Sequence, residues 1–178
     1  MRYIKSLTIL IGFISFPLFL LSCNRKMVSS DSTKSTAPSF SAAAMNRDIL
    51  YHVNEYRKRK GLGALKFVEV ANEQAAIHSK NMALKRAAFS HDGFEQRIAV
   101  VSKSIGAVMG AAENLAYGEL SAEAVVKGWI NSPGHKKNIE GNYTLTGIGT
   151  YQDAKGVIYL PSCSCDNKYF ENEGIQSA

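Results

Sequence analysis

Hydrophobic positions recur with the spacing of an α-helix in three stretches of the chain. Residues 45–60 and residues 70–87 each place apolar side chains three and four positions apart, which is typical of an amphipathic helix. A third such stretch begins after Ser121, a favoured N-cap residue. It ends before Pro133, because proline disfavours helical backbone at the residue that precedes it. Three main helices are therefore predicted.

Two short stretches near the end of the chain predict β-strands. Residues 145–151 and 157–160 have strand-like composition, and residues 153–156 between them carry the Asp and Gly of a hairpin loop. Residues 95–110 hold apolar side chains but also two glycines, so a loop with a short helical piece is expected there. Helices first and strands last predict a single α+β domain, in which helices cover a small antiparallel sheet.

The first residues have the features of an export signal. Residues 1–22 combine a short basic start with an apolar run that is shorter than the roughly 20 residues of a spanning helix. The run ends on Leu20-Leu21-Ser22-Cys23, which resembles a bacterial lipobox, where the cysteine is acylated and becomes the first mature residue. Lipidation of Cys23 would make a membrane the partner of this chain. The alternative is an ordinary signal with a chance cysteine.

Composition divides the rest of the chain into a tether, a domain and a tail. Residues 24–44 predict a flexible tether, because they are rich in Ser, Thr and Ala and hold almost no large apolar side chains. Residues 45–165 are expected to form the domain, and residues 166–178 a C-terminal tail. The formal net charge is +6 over 178 residues, but much of this excess lies in the signal and the tether. The nearly neutral domain argues against a nucleic-acid partner.

The cysteines of the domain and one histidine have structural explanations. Cys163 and Cys165 lie two positions apart in the last predicted strand, so they share a face at a separation that does not favour a disulfide. They are expected to be buried thiols, unless the strand ends early enough to let them pair. A Cys-x-Cys sequence is also a weak indication of a metal. His78 lies on the apolar stripe of the second helix, where a hydrogen-bonded core histidine is more common than a ligand.

Three other residues could carry chemistry. His91 and His135 stand beside turn-forming residues, and Glu113 lies between them with small residues before it. Two imidazoles and one carboxylate are the smallest protein set for an open zinc-like site, and they also make a general acid–base pair. Because 22 residues separate Glu113 from each histidine, spacing alone leaves their convergence open.

Three short motifs surround these residues. They are Phe89-Ser-His91, Ala112-Glu113-Asn114-Leu-Ala116 and Trp129-Ile-Asn-Ser-Pro-Gly-His135-Lys-Lys-Asn-Ile139. In order and spacing they resemble the CAP superfamily, which includes the cysteine-rich secretory proteins, insect venom antigens and plant pathogenesis-related proteins. Asn54, Arg57 and the Gly147-Ile-Gly149 segment fit the same pattern. The likeness covers roughly residues 45–163 and is closest to the bacterial SCP-like branch.

The resemblance implies an α-β-α sandwich with a cleft that holds two histidines and two acidic residues. His91 and His135 match the histidines, and Glu113 matches the first acid. The second acid usually follows a tryptophan by three positions, where this chain has Ser132. The resemblance therefore implies a His-Glu-His set with two hydroxyl neighbours, Ser90 and Ser132. The several disulfides of eukaryotic members have no counterpart in this sequence.

Three functions are compatible with these residues. A binding module in the cell envelope would use the cleft for a divalent cation such as zinc, a lipid, a peptide or a cell-wall fragment. A hydrolase would use His91 or His135 as a base oriented by Glu113, or all three as ligands of a metal that activates water. The third possibility is a purely structural domain, in which His91, Glu113 and His135 only hold loops in place by hydrogen bonding. A binding module is expected, because the resemblance implies no shared activity and no nucleophile motif is present.

Overall fold

The computed structural model describes residues 39–166. The predicted signal, Cys23, most of the predicted tether and the tail after Asp166 lie outside the described residues. The described part contains five helices and five strands, in the order α1 (Ala42–Arg59), β1 (Lys66–Phe67), α2 (Glu69–Ala83), α3 (Phe94–Ile105), β2 (Gly110–Gly118), α4 (Ala122–Asn131), α5 (Pro133–Ile139), β3 (Leu145–Ile148), β4 (Tyr151–Gln152) and β5 (Ile158–Asp166). No helix in residues 39–166 is long and apolar enough to cross a membrane.

The three predicted helices are confirmed as α1, α2 and α4, with small differences at their ends. Helix α1 begins three residues earlier than expected, because Ser41 is its N-cap and accepts a hydrogen bond from the backbone N–H of Ala44 at 3.3 Å. The last three residues of the predicted tether are therefore helical. The predicted N-cap of α4 is confirmed, since Ser121 Oγ accepts from the N–H of Ala124 at 3.2 Å.

One helix is longer than expected and one was not expected from the sequence. Residues 95–110 were predicted as a loop with a short helical piece, but most of them form α3, which begins after Gly93 and ends at Gly106. Pro133 does end α4, yet it also opens α5. Proline fits the first turn of a helix because its missing N–H would have no helical partner there. His135 consequently lies on a helix and not in a turn.

The strands form one sheet in the order β1-β3-β5-β2, with β4 paired to β5. The pairs β2–β5, β3–β5 and β4–β5 are antiparallel, and only the two-residue β1 runs parallel to β3. The stretch predicted as a strand over 145–151 is broken after Ile148, and the loop predicted over 153–156 connects β4 to β5. Strand β2 lies at one edge of the sheet.

Helices cover both faces of this sheet, which confirms the predicted α+β sandwich. On one face, α1, α4 and α5 pack around Ile49, Trp129 and Leu160. On the other face, α2 and α3 pack around Ala71, Val101 and the strand residues Leu145 and Cys165. Apolar burial on both faces is the main stabilising contribution to such a layered domain.

Gly147 and Arg57, which both fit the pattern of the family resemblance, connect neighbouring elements of the domain. Gly147 on β3 lies so close to α2 that a Cβ atom in its place would overlap the backbone of Ala71. The buried Arg57 on α1 donates to four backbone carbonyls, at Gly63, Ile139, Gly141 and Tyr143, over 2.6–2.9 Å. Arg57 thereby ties α1 to the end of α5 and to the loop before β3.

Candidate functional site

The candidate site is built around the buried carboxylate of Glu113. Glu113 lies in the middle of the edge strand β2, directly opposite Cys163 on β5. Its side chain lies on the α2–α3 side of the sheet and is only 3% exposed. A carboxylate buried to this degree requires hydrogen-bonded or charged partners.

Two cationic or hydrogen-bonding side chains supply those partners. His91 Nδ1 lies 2.9 Å from Glu113 Oε1. Arg97 Nη2 lies 2.9 Å from Oε1 and 2.7 Å from Oε2 of the same carboxylate. Since an ionised carboxylate only accepts hydrogen bonds, the Nδ1 atom of His91 carries the proton that is shared with Glu113. The structure therefore brings His91 and Glu113 together and adds Arg97 to them.

Helix α3 holds Arg97 in this position. The guanidinium donates from Nη1 to the backbone carbonyl of Asp92 at 2.8 Å and lies 6.0 Å from the ring centre of Phe94. The side chain of Arg97 is 13% exposed, whereas that of His91 is 57% exposed. Glu113 thus joins an inner, largely enclosed guanidinium to an outer imidazole that faces solvent.

A second histidine fixes the loop that carries His91. The buried His78 on α2 donates from Nε2 to the backbone carbonyl of Ser90 at 3.0 Å, because that carbonyl only accepts. Burial lowers the pKa of His78, so the neutral ring is favoured in the folded state. Ser90 Oγ in turn accepts from the N–H of Asp92 at 3.2 Å. The prediction of a hydrogen-bonded core histidine at position 78 agrees with these contacts.

His135 reaches the same edge strand from α5, on the opposite face of the sheet. Its backbone carbonyl accepts from Asn114 Nδ2 at 3.0 Å. Asn138, one turn further along α5, donates to the carbonyl of Glu113 at 3.1 Å and to Asn114 Oδ1 at 2.9 Å. Burial lowers the pKa of His135, and the nearby charge of His91 lowers it further. Among the described residues, no hydrogen bond or ion pair joins the ring of His135 to Glu113 or His91.

The donor atoms do not fit a metal ion as they are arranged. Within residues 39–166, no group of three or more His, Cys, Asp or Glu side chains is placed to hold a metal. Both oxygens of Glu113 face the Arg97 cation, and the nearer nitrogen of His91 is a donor to the carboxylate. A metal ligand must instead offer a free lone pair. Zinc binding at this site remains a prediction that rests on the family resemblance. The contacts of Glu113 with Arg97 and His91 do not favour it.

The possible nucleophiles near the site are not activated. Ser90 accepts a backbone hydrogen bond, and Ser132 separates α4 from α5 without a capping contact from its side chain. Cys163 and Cys165 are free thiols buried in β5. Burial raises the pKa of the Cys163 thiol well above its usual range and that of Cys165 to about 11. Neither thiol is a nucleophile at neutral pH, because the thiolate is the reactive form.

Three aromatic side chains, two of them exposed and one half-buried, form a cluster that includes a residue of the His91 loop. We call Phe89, Tyr117 and Tyr159 the aromatic cluster. The ring centres of Phe89 and Tyr117 are 5.1 Å apart, and those of Tyr117 and Tyr159, which face each other across β2 and β5, are 6.0 Å apart. Phe89 stands two residues before His91. Tyr117 lies four residues beyond Glu113 on the same face of β2, about 13 Å along the strand.

The sequence contained a signal for some of these additional residues. Phe94, Ile98, Val101 and Ile105 recur at helical spacing and could have indicated α3, and with it the position of Arg97. The aromatic cluster depends on the register of β2 against β5, which no local sequence signal reveals.

Comparison with known proteins agrees with this fold. The profile of the Cysteine-rich secretory protein family (CAP) matches residues 50–165, which is more than half of the chain. This chain therefore belongs to the CAP family. It is 35% identical over 125 residues to an uncharacterised protein of Bacillus subtilis strain 168, YkwD, in an alignment that covers 66% of this chain and 46% of that protein. The chain thus spans about half the length of this relative.

Solved structures with the same fold include two bacterial surface or extracellular proteins. An outer surface protein of Borrelia burgdorferi aligns with a TM-score of 0.63 at 20% identity, covering 72% of this chain and 97% of that one. An extracellular SCP-domain protein of Bacillus anthracis aligns with a TM-score of 0.59 at 23% identity, covering 74% of this chain and 45% of that one. At these identities the likeness establishes the CAP fold alone.

Proposed function

We propose that this CAP-domain protein is an exported binding module of the cell envelope, held to a membrane through a lipid on Cys23. Its ligand is a cell-wall fragment, bound at the surface formed by His91 and the aromatic cluster. The predicted signal and lipobox support export and anchoring. The surface or extracellular placement named for the Borrelia and Bacillus anthracis proteins is consistent with both.

One observation carries the proposal about the ligand. A buried carboxylate, Glu113, orients a half-exposed imidazole, His91, on the loop that also carries Phe89, whose exposed ring packs against Tyr117. Aromatic faces bind the apolar C–H face of a sugar ring, and the tyrosine hydroxyls and the imidazole can hydrogen-bond its polar edge. Glycan chains of the cell wall present both kinds of surface. A lipid tail or a divalent cation would use only part of this set.

Co-sedimentation with purified peptidoglycan sacculi tests the ligand. We expect the full chain to sediment with sacculi and both Tyr117→Ala and His91→Ala variants to lose most of that binding. Tyr51→Ala is the matched control, because Tyr51 is 61% exposed on α1 and Tyr117 is 60% exposed on β2. Equal binding by all four proteins, or binding to phospholipid vesicles and not to sacculi, would show that a cell-wall fragment is not the ligand of this surface.

The anchor requires a separate test. A Cys23→Ala variant expressed in a bacterial host should not incorporate labelled fatty acid, whereas the native chain should. With the lipoprotein signal peptidase inhibited, the native chain should keep its signal and migrate more slowly in electrophoresis. Equal fatty-acid labelling of the two chains, or labelling of neither, would contradict lipidation at Cys23.

A hydrolase that needs no metal is the second candidate, and the contact between His91 and Glu113 favours it. With Nδ1 donating to Glu113, the Nε2 atom of His91 keeps a lone pair and is the basic atom of the ring. His91 would then take a proton from water or from a substrate hydroxyl. Chromatography of sacculi after incubation with the full chain and with His91→Gln tests this function. Release of the same fragments by both proteins would exclude His91 as the base.

A further inference from the structure

The position that a metal ion would need at this site is held by a side chain of the protein. Cleft carboxylates that bind a divalent ion must present their oxygens to it. Here the single Nη2 atom of Arg97 lies within 2.9 Å of both oxygens of Glu113. The arrangement places one positive charge symmetrically in front of the carboxylate, where it opposes a second cation.

Arg97 is fixed there by contacts that do not involve Glu113. Nη1 donates to the carbonyl of Asp92 at 2.8 Å, and the guanidinium lies over the ring of Phe94. Both contacts come from residues at or just before the start of α3, so the helix positions the cation before any ligand arrives. Because Arg97 is 13% exposed and Glu113 is 3% exposed, displacing the guanidinium would leave a buried charge without its partner.

From this geometry we infer that Arg97 replaces the metal ion of the His-Glu-His site in this chain. Glu113 is neutralised internally, and His91 is held by hydrogen bonding to that carboxylate instead of by a metal. The site is then specific for neutral or anionic groups, and zinc affinity is suppressed by Arg97. This inference is independent of whether the ligand proves to be a cell-wall fragment.

Zinc titration of the full chain against a competing chromophoric chelator tests the inference. We expect wild type and the His91→Ala variant to bind zinc equally weakly at this site. Arg97→Gln, which keeps a hydrogen-bond donor and removes the charge, should gain at least about tenfold in zinc affinity, the scale of effects that outer contacts have on metal sites. The gain should disappear in the Arg97→Gln, His91→Ala double variant.

Lys103→Gln is the matched control, because it removes a positive charge from an exposed position of the same helix. A folded Arg97→Gln protein that gains no more zinc affinity than Lys103→Gln would overturn the inference. So would tight zinc binding by wild type that depends on His91. Folding of each variant is checked by far-ultraviolet circular dichroism.

If Arg97→Gln does not fold, the wild-type chain still provides a direct measurement. Long-range proton–nitrogen NMR spectra report on both ring nitrogens of each histidine. On addition of one equivalent of zinc, the ring signals of His91 should remain at their zinc-free positions. Movement of these signals to those of a metal-bound imidazole would overturn the inference.

Discussion

His78 on α2 donates a hydrogen bond from its ring to the backbone carbonyl of Ser90 at 3.0 Å, one residue before His91. This contact joins a buried helix face to the loop that presents the exposed imidazole. His78 thereby positions the loop that carries His91. The folded state keeps the ring neutral, mainly because burial lowers its pKa.

The stability of the domain should fall on acidification because of this ring. The pKa of His78 is lowered in the folded state. Below the ordinary histidine pKa of about 6.5, the unfolded chain therefore binds more protons at this ring than the folded chain does. The contribution of the neutral ring to the free energy of unfolding is fully present above about pH 6.5. It is lost as the pH falls from there through the lower pKa of the folded state. Arg97 and His91 oppose protonation of His78, while Glu113 and the bond to Ser90 favour it.

Urea unfolding at a series of pH values between about 8 and 5 measures this loss of unfolding free energy. The range brackets the ordinary histidine pKa of about 6.5. A His78→Gln variant, which can still donate to Ser90, should show a flatter dependence of the unfolding free energy on pH. A His52→Gln variant controls for loss of a histidine elsewhere. Identical slopes for wild type and His78→Gln would contradict the role of burial at His78.

Arg57→Leu should strongly destabilise the domain. The substitution removes the donor to the buried carbonyl of Ile139 and to the partly buried bonds at Gly63, Gly141 and Tyr143, and the loss of a buried partner costs about 1–3 kcal/mol. Relaxation reduces the sum, so we expect a loss of at least about 3 kcal/mol in the free energy of unfolding. Arg59→Leu, two residues along and exposed, should change it by less than about 0.5 kcal/mol. Comparable losses for the two variants would contradict the role of Arg57.

Gly147→Ala should separate β3 from α2. An added methyl group overlaps the backbone of Ala71, which cannot move without shifting the helix, and such overpacking costs about 1–3 kcal/mol. Gly128→Ala on α4 is the control, because nothing lies within 4 Å of a Cβ there. Alanine in that helix should be neutral or stabilising by up to about 1 kcal/mol. Thermal unfolding of both variants measures the difference, and a tolerated Gly147→Ala would mean that the layers are more loosely packed.

The two thiols of β5 should remain unreactive in the folded chain. Cys163 and Cys165 are buried, and burial raises the pKa of both. Iodoacetamide at pH 8 should label them only after unfolding, as measured by mass spectrometry of the peptides that contain them. Rapid labelling of either thiol in the native chain, or a disulfide between them, would contradict the structure of β5.

The sequence allowed the helices with continuous apolar stripes to be predicted, but not the elements whose signal is weak or interrupted. Only a short helical piece was predicted where α3 lies, because Gly106 and Gly110 follow closely on its apolar positions. Strand β2 has the composition of a turn or helix, with Ala, Glu and Asn at its centre, and pairing with β5 overrides that local preference. The parallel pair between β1 and β3 has no local signal, since β1 is two residues long.

The candidate site was predictable only as far as the family resemblance reaches. His91, Glu113 and His135 follow from the motifs; in residues 39–166 a hydrogen bond joins His91 to Glu113, and none joins the ring of His135 to either. Arg97 belongs to the segment predicted as a loop with a short helical piece, and its partner lies 16 residues away. Such a contact depends on how α3 packs against the edge strand, which is a property of the tertiary structure.

The most direct test of the proposed binding surface is an NMR titration of the full chain with soluble, enzymatically released peptidoglycan fragments. We expect the ring signals of His91, Tyr117 and Tyr159 to shift together and saturably, while those of Tyr51 on α1 do not move. Saturable shifts that leave these three rings unchanged, or no saturable shifts at all, would contradict the proposal that His91 and the aromatic cluster form a cell-wall binding surface.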